Sequence, residues 1–175
     1  NQWSAPPRRR AWRVMLGGLA QQALRNIVLP DVNKNYLLSR KAFLADCNLL
    51  EGVPQIFGFF SLTPREAYRA TMLPYVNPKL DFPALLDFMS VSLTTAAGKA
   101  SEWERRPSAM PMVTAGQRPV FADDAAIMDS FFETNLNLRE VAFLPLATRA
   151  FVTATQQTNA RILESHFANL RVKVV

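Results

Sequence analysis

The chain carries one histidine and one cysteine, His166 and Cys47, and they set the first limit on its chemistry. A Ser/His/Asp or Cys/His nucleophilic device needs a histidine as base. His166 stands beside Phe167 in a run with strand character near a turn, and reads as a structural residue. Cys47 lies between Asp46 and Asn48 with no base beside it to generate a thiolate, so it reads as a small buried hydrophobe. A single Cys and a single His cannot build a Cys/His zinc site, and a single Cys excludes an internal disulfide. Carboxylates remain. Asp123-Asp124 is the obvious pair, but helix neighbours point about 100° apart, and acids at a helix start answer its positive dipole end. Glu102 and Glu104 flank Trp103 in a stretch that ends Arg105-Arg106-Pro107 and reads as a solvated loop. The isolated Gly52, Gly58, Gly98 and Gly116 match neither the P-loop nor the GxGxxG spacing that cradles phosphates. No catalytic residue, metal site or cofactor is expected.

Two constellations bear on binding instead. Between Asn48 and Glu66 the sequence holds two glycines six apart (Gly52 and Gly58), Pro54, and the aromatics Phe57, Phe59 and Phe60. This is an apolar loop with three open readings: a buried crossover, an aromatic-lined surface for a lipid-linked or sugar ligand, or a partner-docking surface. Asn48, Gly52, Phe57, Gly58 and Phe59 are its candidate contact residues. The second constellation is charge. Residues 1–41 contain eight Lys/Arg and one acid, a local +7, whereas residues 42–175 contain twelve bases and thirteen acids, a local −1. Arg8, Arg9, Arg10 and Arg13 form its centre and are candidates for contact with an anionic surface. A solvated leader beside Pro6-Pro7 explains the same residues. Only Trp3 and Trp12 interleave them with aromatics and no nucleic-acid motif is present, which argues against nucleic acid as partner.

These residues need a scaffold. The 175 residues, 49% hydrophobic and 19% charged, suit one globular domain and exclude wholesale disorder. The expected division is a basic linker over 1–13 and a single domain over 14–175. No run approaches the length of a membrane span. Arg8–Arg13 followed by Val14–Ala20 imitates a signal peptide, but Gln21, Gln22 and Arg25 follow too soon. With Asn1 where an initiator Met would stand, the chain is expected to be a processed or excised piece. A short helix is expected within Val14–Asn26, ended by Pro30, and Lys41–Leu50 is ambiguous between helix and strand. Thr63-Pro64-Arg65-Glu66 is a capping box with Pro64 at the first helical position, and the helix should end at Leu73 before Pro74. Further helices are expected over Ala84–Phe88 and Asp123–Glu133. Strand candidates are Met89–Thr95, Met110–Ala115, Arg139–Leu144, Phe151–Thr155, Ala160–Phe167 and Leu170–Val175, the last two meeting in a hairpin at Ala168-Asn169. Helices early and strands late predict an α+β domain, a mixed sheet covered by helices, with a three-layer α/β arrangement as the alternative. Left open, the last strand would be an edge that favours dimerisation.

The run Asn48–Glu66, "NLLEGVPQIFGFFSLTPRE", resembles a segment of the YfhO family of bacterial multi-pass membrane proteins, which are similar to membrane-embedded glycosyltransferases that use lipid-linked sugars. Leu85–Val91, Ala109–Val113 (with Met112 where the family has Arg) and Leu138–Leu144 resemble further family segments in the same order, over roughly residues 40–175. The resemblance implies an extracytoplasmic portion of such a protein, at the outer face of the bacterial cell membrane, whose catalytic acid lies elsewhere in the parent. It would cover the active site or hold a lipid-linked sugar or envelope acceptor. Its partners would be the transmembrane part of the parent and anionic lipid, lipid-linked sugar or envelope polymer. A stand-alone binding or adaptor module and a carboxylate-dependent hydrolase are the competing expectations.

Overall fold

The computed structural model describes residues 12–56, 64–77, 80–96, 99–133, 136–168 and 171–174. Strand β1 (Arg13–Met15) opens the described chain and is followed by helices α1 (Gly18–Asn26), α2 (Val32–Lys41), α3 (Arg65–Val76) and α4 (Pro83–Phe88). Then come β2 (Val91–Ala96), β3 (Lys99–Arg105), β4 (Arg118–Ala122), helix α5 (Asp124–Ser130), β5 (Val141–Pro145), and the pair β6 (Ser165–Ala168) and β7 (Arg171–Val174). The architecture is α+β, with helices concentrated before β2 and strands after it. One sheet is mixed, in the order β1-β2-β3, with β1 parallel to β2 and β3 antiparallel to it. β4 and β5 form a parallel pair joined through α5. The expected hairpin is present: β6 and β7 pair antiparallel, with His166 opposite Lys173.

Several local expectations are corrected. Val14 and Met15 belong to β1, because successive strand residues feed two cores, and only after Gly17 does the chain turn helical. Arg13, assigned to the linker, is the first residue of that strand. Pro30 does not end the helical region: Asp31 caps a new helix, its carboxylate accepting from the amides of Asn33 at 2.9 Å and Lys34 at 3.4 Å. α3 starts at Arg65 with Pro64 at the cap position and no side-chain cap bond; Thr63 lies outside the described residues. It also runs past Pro74 to Val76. A proline so near the C-terminus forfeits one intrahelical bond, and the last turn is closed by the Asn77 amide on the Leu73 carbonyl at 3.1 Å. Glu102 and Glu104 lie in β3 rather than in a loop, on a strand whose charge suits a sheet edge. Met110–Ala115 is not a strand: Pro111 lacks a ladder donor, and the Met110 amide instead bonds the Asp87 carbonyl at 3.0 Å. Phe151–Thr155 is not one either; Phe151 ends a short 3-10 turn and the following residues face solvent.

The principal core gathers Met15, Ile56, Phe82, Leu85, Leu86, Met89, Val91, Met110, Phe131 and Leu138. Val14, on the other face of β1, packs with Phe43 and Val53 against Trp12, Leu93 and Trp103. Leu16, Leu24 and Ala42 form a third cluster beneath α1 and α2. A polar knot ties α4 to the chain just after β3. Arg106 meets the Asp87 carboxylate at 2.7 Å, and the Ser108 hydroxyl donates to the same oxygen at 2.8 Å.

Candidate functional site

Of the apolar loop expected to bear contacts, the structure describes Asn48 to Ile56 and Pro64 to Glu66. Asn48 is buried, and its amide nitrogen donates to the Val53 carbonyl at 2.8 Å. Its own backbone carbonyl accepts from the amides of Glu51 at 3.2 Å and Val53 at 3.0 Å. Gly52 supplies a left-handed residue (φ 64°) that lets the chain reverse there. Together they fold residues 48–53 into a compact turn. Just upstream, Phe43, Ala45 and Asp46 also adopt positive φ, at 55°, 50° and 64°. Such a run of left-handed non-glycine residues is held by its surroundings: the Phe43 and Trp103 rings lie 5.1 Å apart, and the Trp103 indole donates to the Lys41 carbonyl at 3.2 Å. Phe57, Gly58 and Phe59 lie outside the described residues, as do Arg8, Arg9 and Arg10. Arg13 donates from its guanidinium to the Met89 carbonyl at 3.2 Å, and burial lowers its pKa. Asp123 is engaged as the α5 cap, accepting from the Ala126 amide at 2.8 Å. Glu102 pairs with Lys99 at 2.9 Å on the surface. Cys47 is half-buried. Among the described residues no group of three or more His, Cys, Asp or Glu could hold a metal ion.

The feature that sequence reasoning did not single out is a cavity of about 340 Å³ beside the principal core. Helix α3 contributes Ala67 and Ala70, α5 contributes Ile127 and Met128, and β5 contributes Val141, Ala142 and Phe143. Phe88, Met110, Phe131 and Leu138 line it too, and Met110, Phe131 and Leu138 are almost wholly buried. The cavity exists because small residues face it from α3 while the β4–α5–β5 unit stands opposite. Its described polar lining consists of Thr114 and Gln117, with the Gln117 amide donating to the Thr114 hydroxyl at 2.5 Å. Ala67 and Thr114 are exposed and mark where the cavity meets solvent. Small-ligand pockets run from about 300 to 1,000 Å³, and an apolar cavity of about 150 Å³ already takes a benzene ring. The space therefore suits an aliphatic chain segment, with one polar pair to orient a polar head group at the mouth. No described lining residue is ionisable. The signal in the sequence was faint: Ala67 and Ala70, three apart on one helix face, are read as easily as core packing.

Among the described residues no helix is long and apolar enough to cross a membrane. Comparison with known protein families, curated proteins and solved structures finds no match to this chain.

Proposed function

We propose that this chain is a non-catalytic, extracytoplasmic accessory domain of a membrane-embedded glycosyltransferase-like protein, and that it holds the apolar part of a lipid-linked sugar. The observation that carries the reading is the apolar cavity between α3, α5 and β5, with Thr114 and Gln117 at its polar side. The resemblance of Asn48–Glu66 and the later segments to the YfhO family supports the membrane-bound parent, and the +7 of residues 1–41 supports an anionic neighbour. A lipid chain leaving water for this cavity gains the hydrophobic transfer free energy, about 0.8 kcal/mol per buried methylene. The sugar and its phosphate would stay at the mouth, within reach of the catalytic part of the parent. A hydrolase would need two carboxylates about 5–10 Å apart facing one pocket, and the described lining supplies none.

Farnesyl phosphate is a suitable probe. Titrated into the chain, it is expected to shift the methyl resonances of Met110, Ile127, Met128 and Leu138, while inorganic phosphate leaves them unmoved. Ala70→Leu, which fills the cavity from α3, is expected to abolish the shifts while keeping a cooperative thermal transition. Unmoved cavity methyls at millimolar farnesyl phosphate, in a folded protein, would overturn the reading.

A further inference from the structure

We propose that the segment over residues 153–160 is the head-group subsite of the cavity, a strap of uncharged amide and hydroxyl side chains that holds the sugar of a lipid-linked ligand. The inference deepens the reading above by assigning the ligand's polar end, and it rests on that reading. The polar lining of the cavity, Thr114 and Gln117, stands on either side of Gly116 in the chain. The strap is pinned at that glycine. The Thr158 amide donates to the Gly116 carbonyl at 2.8 Å. A β-carbon at Gly116 (φ +89°) would stand 2.5 Å from the Thr158 carbonyl oxygen and 3.3 Å from the Ala160 amide nitrogen. Only glycine admits that approach without moving backbone. The backbone of Thr158–Ala160 therefore runs against the polar side of the cavity mouth.

What the strap offers there is chemically narrow. Six of the seven residues 153–159 carry a hydroxyl or a carboxamide (Thr153, Thr155, Gln156, Gln157, Thr158 and Asn159), and no charged residue occurs between Arg149 and Arg161. Residues 153–160 are all exposed. Threonine and asparagine in loops ordinarily spend these groups on nearby backbone. Thr148 does so on the Pro145 carbonyl at 2.7 Å, and Asn137 on the Arg139 amide at 3.1 Å. None of the six side chains of the strap is used in this way among the described residues. A carboxamide both donates and accepts, and so does each sugar hydroxyl, so the strap matches a neutral saccharide. A bare phosphate would call for cations, which the strap lacks. An apolar tail site and a polar head site thus meet at Gly116.

The test compares glucosyl phosphoryl farnesol with methyl phosphoryl farnesol, which has the same phosphodiester charge and no sugar. Each is titrated into the whole chain and followed at the methyls of Met110 and Leu138 and at the backbone amides of residues 153–160. The glucosylated probe is expected to bind at least about tenfold tighter, the worth of one or two neutral hydrogen bonds. It alone should shift the amides of Gln157, Thr158 and Asn159. Gln157→Ala/Asn159→Ala should remove the tenfold advantage and leave the affinity for methyl phosphoryl farnesol unchanged, with unchanged circular dichroism. Gly116→Ala, which unpins the strap, should do the same. Methyl glucoside alone should shift these amides only at far higher concentration. Equal affinity for the two farnesyl probes, or undiminished discrimination in Gln157→Ala/Asn159→Ala, would overturn the proposal. With the Met110 and Leu138 methyls still shifted, either result would leave the cavity reading in place. Methyl glucoside binding as tightly as the glucosylated lipid would also overturn the proposal, because the sugar site would then be independent of the cavity. Methyls unmoved by both farnesyl probes would overturn the cavity reading and the subsite together.

Discussion

Asp87 shows how a residue unremarkable in sequence becomes indispensable in the fold. Its carboxylate accepts from Arg106 at 2.7 Å and from the Ser108 hydroxyl at 2.8 Å, while its backbone carbonyl accepts from the amides of Ser90 and Met110. Arg106 also donates to the Pro83 carbonyl at 3.2 Å, so the start of α4, its end and the chain after β3 meet at one ion pair. The Arg106 and Asp87 side chains are 17% and 20% exposed, so the pair is only partly screened by water. Removing one partner of such a pair leaves the other charge without compensation. Asp87→Asn is expected to lower stability by about 2 kcal/mol, read as a lower urea midpoint with an unchanged slope. Arg139 adds to the same neighbourhood, donating to the Ser108 carbonyl at 2.5 Å. By contrast Asn48, singled out from sequence for a possible contact, spends its side chain on closing its own loop. Residue type alone does not separate those two uses of an asparagine.

At the level of elements, local signals were readable where a capping group or an unbroken apolar pattern existed. Asp123 caps α5 as its position implied, α4 covers the expected Ala84–Phe88, and the β6–β7 hairpin forms about the expected turn at Ala168-Asn169. Failures came where pairing over long distances decided the outcome. Arg13–Met15 became a strand because Val91–Thr94 lies alongside it on one side and Val14 bridges Gln55 on the other, and Arg118–Ala122 because β5 runs parallel to it, despite Pro119. Non-local pairing leaves no periodic trace in three or five residues. The cavity was hidden for the same reason, since its walls come from α3, α5 and β5. The segment over 152–164, largely exposed, offers a test of one long-distance tie. The Thr158 amide bonds the Gly116 carbonyl at 2.8 Å, and Gly116 has φ +89° with the Thr158 carbonyl oxygen 2.5 Å from where a β-carbon would stand. No side chain fits there without moving backbone. Gly116→Ala is expected to release the segment, and limited trypsin digestion should cut at Arg161 several-fold faster than in the parent chain, with the cavity core still protected.

Across the whole molecule, β1 divides the apolar clusters. Met15 points into the core that borders the cavity, whereas Val14 points the other way, into the cluster with Phe43, and Leu16 belongs beneath α1 and α2. Alternating side chains on one strand thus feed the core beside the cavity from one face and the two smaller clusters from the other. Sites that share no partner residue should respond independently to substitution. The cavity also fixes a direction for stability. An unfilled apolar space of this size leaves dispersion contacts unmade, and filling it commonly adds about 0.5–2 kcal/mol. Ala70→Leu is therefore expected to raise the unfolding free energy in that range even as it excludes farnesyl phosphate. In the parent chain, farnesyl phosphate at about a hundred times its Kd should stabilise by about 2.7 kcal/mol, because only the folded state binds it. Combining Ala70→Leu with Leu38→Ala, in the cluster beneath α1 and α2, should give the sum of the separate effects within about 0.5 kcal/mol, measured by urea unfolding with and without the ligand. A larger departure from additivity would mean that the sheet transmits strain between its faces, so that filling the cavity is felt beneath α1 and α2.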